Sequence, residues 1–165
     1  MIKVPLNSRK LKASRREPEA GDIFCMLMPD DLYVFGRVIM LDPPGSPVVG
    51  SILVYLYSWR SEGQAPDMRE LTRDRLLLPP IFAHRIGWTE GYWLTVAHHE
   101  VTSTDRLPRH CFRRFDGAFF DEMGVRLKDR IEPCGSLGLA NYRRVDDLVS
   151  KALGIPLAPT ETKVD

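Results

Sequence analysis

The chain has 165 residues, 23 basic and 22 acidic, with a formal net charge of +1 and 44% apolar residues. That length and balance suit one ordinary soluble domain. They exclude a membrane helix, since no apolar run nears the ~18 residues one needs, and the basic N-terminus lacks the apolar stretch of a secretory signal.

Charge is distributed unevenly. Residues 1–16 hold Lys3, Arg9, Lys10, Lys12, Arg15 and Arg16 and no acid. Taking those six from the 23 basic residues leaves 17 against 22 acidic, so the remaining body carries −5. A basic, flexible tail over 1–19 is expected, solvated or strapped onto the protein's own acidic surface. An acidic body makes nucleic acid an unlikely partner, because phosphate binding needs a basic face.

A single α+β domain is expected over 20–156. Gly21-Asp22 opens a first strand at about 22–28. Pro29-Asp30-Asp31 is turn chemistry, and Tyr33 to Leu41 forms a second strand. The breaker Asp42-Pro43-Pro44-Gly45-Ser46-Pro47 predicts a loop. Ile52 to Tyr57 is apolar on both faces and therefore a central strand. Pro66 to Leu71 reads as a short helix with Pro66 in its first turn. Leu76 to Phe82 is apolar but twice broken by proline, which suits an edge or crossing segment. Residues 87–101 read as a tight turn feeding a strand at about 91–100. Cys111 to Phe115 and Gly124 to Lys128 are further strand candidates, with Asp116-Gly117 as a turn.

Tyr142 to Leu153 has helical spacing at Val145, Leu148, Val149 and Leu153, stopped by Gly154 with Pro156 beyond. Residues 157–165 form a polar tail. The strands are expected to curl into a strongly bent antiparallel sheet or a partly open small β-barrel, with one or two helices and the last helix packed on it.

Candidate reactive groups are sparse. Cys25, Cys111 and Cys134 are odd in number, widely spaced and without CxxC. They point to a reducing, cytoplasmic compartment rather than a disulfide framework or zinc finger. Neighbouring His98 and His99 point to opposite faces of a strand, so they cannot share a metal there, although one could meet His84 or His110 in space. His110-Cys111 with Asp116 lacks the geometry of an activated thiol. The acidic pairs Glu17 with Glu19, Asp30-Asp31 and Asp146-Asp147 read as solvated turn or helix faces. Gly135-Ser136-Leu137-Gly138 is a turn rather than a phosphate loop. No catalytic residue, metal or cofactor is expected. Among the aromatics, Trp88 and Trp93 read as core, whereas Trp59 is divided between core and interface anchor.

Six short stretches carry a resemblance: Gly21-Asp22-Ile23-Phe24, Phe35-Gly36-Arg37-Val38, Pro79-Pro80-Ile81-Phe82, Gly87-Trp88, Gly91-Tyr92-Trp93 and Leu153-Gly154-Ile155-Pro156. Together, over roughly residues 20–156, they resemble bacterial immunity protein family twenty-six of polymorphic toxin systems. Residues 97–123, rich in arginine, interrupt the stretch that usually joins the middle strands. The resemblance implies a non-catalytic protein that binds and neutralises a cognate toxin, a nuclease being one kind, inside the producing cell. An acidic body suits a basic nuclease. Asp30, Asp31, Trp59, Glu62, Asp67 and Glu70, expected in loops on a rigid sheet, are the candidate partner-binding residues. Two other readings stay open. A small barrel-type hydrolase or ribonuclease would need a base and acid clustered in a cleft, such as Arg37 with Asp105 or His110. A nucleic-acid-binding module would use the tail and Arg113-Arg114.

Overall fold

A computed structural model describes residues 5–160, and the outermost parts of both tails, including Lys3, lie outside them. In chain order the elements are β1 (Asp22–Leu27), β2 (Tyr33–Leu41), β3 (Ile52–Ser61), β4 (Ile81–Ala83), α1 (Ile86–Thr89), β5 (Leu94–His98), β6 (Cys111–Arg113), β7 (Phe119–Phe120), β8 (Arg126–Leu127), β9 (Cys134–Ser136), β10 (Leu139–Ala140) and α2 (Tyr142–Ala152). The class is α+β, as the sequence predicts.

Two sheets form. One has six strands in the order β10-β4-β3-β2-β1-β5, the other four in the order β8-β7-β6-β9. Neither closes into a barrel, and neither is purely antiparallel. The pairs β10 with β4 and β6 with β9 are parallel, so the expected single antiparallel sheet is corrected to two mixed ones.

The three long strands read as continuous apolar runs because both faces of the large sheet are buried. Alternation divides them. Phe24, Met26, Val34, Val38, Val54 and Leu56 point into a layer with Trp88, Trp93, Val145 and Val149. Ile23, Cys25, Phe35, Ile39, Leu53, Tyr55 and Tyr57 point into the opposite layer with Leu71, Phe82 and Phe112. The helices cover the first face, and the small sheet and the long loops cover the second. Helix α2 forms where its apolar spacing allows one buried stripe. Its N-cap Asn141 accepts from the Arg144 amide at 2.8 Å, and Gly154, with φ +71°, ends it.

Several expectations change. The short helix at 66–71 is a turn, and a one-turn helix occupies 86–89 instead. Strand β3 runs on to Ser61, four residues past the apolar run, because its polar end still pairs with Tyr33 and Val34. The Gly135-Ser136 stretch is strand β9.

The described part of the basic tail is hydrogen-bonded along the body. Arg9 pairs with Leu27 as an isolated bridge, the Leu11 amide donates to Gly91 O at 2.7 Å, and the Ser14 amide donates to Trp88 O at 3.0 Å. Buried Asp146 on α2 accepts the amides of Asn7 (2.9 Å) and Ser8 (2.8 Å). The segment is a strap, held because its amides find acceptors that would otherwise be buried unpaired.

Candidate functional site

Four of the six candidate interface residues, Asp30, Asp31, Trp59 and Glu62, lie at one end of the large sheet, and Asp67 and Glu70 lie on the loop that follows β3. The register sets Tyr33 opposite Ser61 and Val34 opposite Arg60, so the hairpin tip at Asp30-Asp31 and the end of β3 lie together. Arg60 grips Asp30 with its two terminal guanidinium nitrogens, at 2.5 and 2.7 Å, and those bonds hold the Asp30 carboxyl below its ordinary range. Gln64 donates to the Tyr33 hydroxyl at 3.2 Å. Asp31 takes φ +66°, a turn conformation that aspartate tolerates, and pairs with Arg9 of the strap.

Trp59 is corrected from loop to strand. It lies in β3, half-buried, with its ring 5.1 Å from that of Phe35. It is therefore partly a packing residue. Glu62 follows β3 directly and is exposed. Asp67 is held by Arg69 at 2.9 Å, which lowers its carboxyl's pKa, and Glu70 pairs with Arg75. Four of the five candidate acids thus already hold an arginine of the same chain. Among the described residues Glu62 has no ion pair.

A second set of polar groups lies beneath the loops on the same face of β2 and β3 as Phe35 and Trp59, farther along the strands. Arg37, 1% exposed, donates through Nη2 to the carbonyls of His99 (2.7 Å) and Glu100 (3.0 Å), and its Nη1 stands 3.2 Å from Asp105. Burial opposes ionisation of Asp105, but donations from Thr102 and Arg37 outweigh it and keep the carboxyl below its usual range. Farther along, Tyr55 and His110 Nε2 are 2.5 Å apart, and the Leu107 amide donates to the Tyr55 hydroxyl at 3.0 Å. On the other side of the ring, His110 Nδ1 stands 3.0 Å from Glu122. Burial lowers the His110 pKa against the pull of Glu122, and it raises Tyr55 to about 12.

Arg37 does meet Asp105, as a hydrolase would require, and a histidine does meet a carboxylate. Arg37 and His110 are each 1% exposed, however. The groups tie residues 99–122 to the sheet, with the guanidinium and the imidazole enclosed and the carboxylates of Asp105 and Glu122 partly exposed. The thiol of Cys25 is likewise sealed, and burial pushes it up to about 12.

The remaining temptations resolve in the same way. His98 does not meet His84 or His110. Its Nδ1 lies 2.8 Å from buried Asp22, and Glu19 completes a cluster with metal-like spacing. Arg16 already fills it, 3.0 Å from Asp22 and 3.4 Å from Glu19. Asp116 holds Arg114 instead of joining Cys111, and the Arg114 guanidinium also lies 4.7 Å from the Phe120 ring centre. No described helix is long and apolar enough to cross a membrane.

A family model, Immunity protein 26, matches residues 19–121. The chain belongs to this family. Comparison with curated proteins and with solved structures returned no match. The family match takes in five of the six stretches that carry the resemblance, together with the arginine-rich segment 97–121, and it ends before Leu153-Gly154-Ile155-Pro156. In this Immunity protein 26 member the matched glycines and aromatics are structural. A Cβ on Gly36 would lie 2.3 Å from the Phe24 ring, and one on Gly87 would lie 2.3 Å from Trp93.

Proposed function

We propose that this chain neutralises a cognate bacterial toxin in the cytoplasm of the cell that makes both, by binding it and without chemistry of its own. Membership of the immunity-protein family over residues 19–121 is the observation that carries the reading. The partner surface we assign is the sheet end formed by Asp30, Asp31, Trp59 and Glu62, with Asp67 and Glu70 on the loop beyond. Trp59 offers a large, half-fixed aromatic area packed on Phe35, and Arg9 and Arg60 hold the hairpin tip through Asp31 and Asp30. Such a surface costs little ordering on binding. Glu62 supplies exposed negative charge that would steer a basic partner, such as a nuclease.

The experiment is co-expression with the toxin encoded by the neighbouring gene. Survival that depends on this chain, together with co-purification of the two proteins, is the expected result. Equal killing with and without the chain overturns the reading.

A further inference from the structure

Cys111 and Cys134 are far apart in the chain but are register partners on the neighbouring parallel strands β6 and β9. Both are free thiols, 1% and 8% exposed, and their sulfurs stand 3.3 Å apart. That is about 1.2 Å beyond the ~2.05 Å of a bonded pair. The strand ladder fixes both backbones, and the Ile131 amide directs a 3.4 Å contact at the Cys111 sulfur. Cys134 also borders a surface cleft lined by Arg113, Arg130 and Ser136, which Cys111, 1% exposed, does not line. Cys25, in the other sheet and fully enclosed, has no such neighbour.

We propose that Cys111 and Cys134 are an oxidative modification site, converted to an intramolecular disulfide by a small peroxide that enters from the cleft at Cys134. In the first step the Cys134 thiolate attacks hydrogen peroxide. The O–O bond breaks, sulfur takes one oxygen as sulfenic acid, and the other leaves as hydroxide, which is protonated to water. In the second step the Cys111 thiolate attacks the Cys134 sulfur, the S–O bond breaks, and a second water forms. Two thiols and one peroxide thus become one disulfide and two waters. Burial and the neighbouring thiol raise Cys134 to about 11, so the reaction is slow at neutral pH and accelerates as the solution becomes alkaline. The product ties β6 to β9 across the edge of the small sheet.

The test treats the full-length, reduced protein with hydrogen peroxide, alkylates it under denaturing conditions and maps its peptides without reduction. The expected product is the Cys111–Cys134 linkage with Cys25 still alkylated. Its mass is lower by two hydrogens, its melting temperature is higher than that of the reduced protein, and dithiothreitol reverses both changes. In Cys111→Ser, Cys134 should stop at a sulfenic acid that dimedone traps; if that variant does not fold, the wild-type map decides alone. Three alkylatable thiols after peroxide, sulfinic acid at Cys134 without cross-linking, or linkage only between molecules overturns the proposal.

Discussion

Arg37 and Asp105 meet under the surface, 3.2 Å apart, where the arginine is 1% exposed and the aspartate side chain 26%. The pair and the two carbonyls that Arg37 also binds fasten the loop after β5 to the middle of β2. Arg37→Ala leaves the carbonyls of His99 and Glu100 without their donor, whereas Asp105 keeps its two Thr102 donors. That variant should therefore lose about 2–3 kcal/mol of stability, and Asp105→Asn, which keeps an acceptor for the guanidinium, distinctly less. Urea unfolding of the two variants measures the difference. Equal, small losses would show that the loop is held by other contacts.

His110 makes stability depend on pH in a definite direction. Its folded pKa lies below the ordinary 6.5, with burial as the main cause. The unfolded chain therefore binds the proton more readily, and stability rises with pH across the interval between the two values. The contribution is present above pH 6.5 and is lost as the pH falls through 6.5 toward the folded value. His110→Gln keeps a polar partner for Tyr55 but cannot titrate, so its melting temperature should fall less than that of wild type on acidification over this interval. Parallel curves for the two proteins would assign the dependence to other groups.

The strap over residues 7–16 adds a prediction on α2. Asp146 is fully buried and accepts two strap amides at 2.8 and 2.9 Å. Asp146→Ala leaves both amides without an acceptor, for an expected loss of about 2–3 kcal/mol. Hydrogen exchange should speed up at Asn7 and Ser8. Unchanged exchange there would mean that the strap is held without α2.

The same residues show which parts of the fold were legible in the sequence. Strands β1 and β2 announce themselves as apolar runs bounded by turn residues, and helix α2 by an apolar spacing long enough to fix a period. Strands of two or three residues, such as β7 and β10, are too short to show any alternation. The end of β3 was hidden for a different reason. Its Ser58-Trp59-Arg60-Ser61 is polar and reads as loop, yet Arg60 is held in the ladder by Asp30 across the hairpin. The strap and the Tyr55–His110 contact depend on partners far apart in the chain, which no local pattern encodes. The candidate acids were legible as charges, but their arginine partners were not.

Gly36 tests how tightly the first layer is packed. Its hydrogen faces the Phe24 ring, and a methyl group there would have to sit 2.3 Å from a ring carbon. Phe24 itself is enclosed by Trp88 and Trp93, with ring centres at 5.0 and 5.6 Å, so it has no room to retreat. Gly36→Ala should lose about 1–3 kcal/mol through overpacking, although alanine is otherwise the better residue in a regular element. Pairing it with Phe24→Leu should recover part of the loss, as read by thermal unfolding. No recovery would place the clash elsewhere.

The proposed partner surface is best tested at residues whose loss from folding differs. Trp59→Ala removes a ring packed on Phe35, so weaker toxin binding by that variant mixes two effects. Asp67→Ala frees Arg69 at an exposed site, where a pair of this kind adds little to stability. Glu62 is exposed and has no ion pair among the described residues, so Glu62→Lys should leave the melting temperature unchanged. If the toxin presents a basic face to this end of the sheet, Glu62→Lys should slow association about 10-fold at low salt, and the difference should shrink as ionic strength rises. Stopped-flow association with the cognate toxin reads both. Unaltered binding by Trp59→Ala and Asp67→Ala, with an unaltered association rate for Glu62→Lys, would move the interface to another part of the molecule while leaving the family membership untouched.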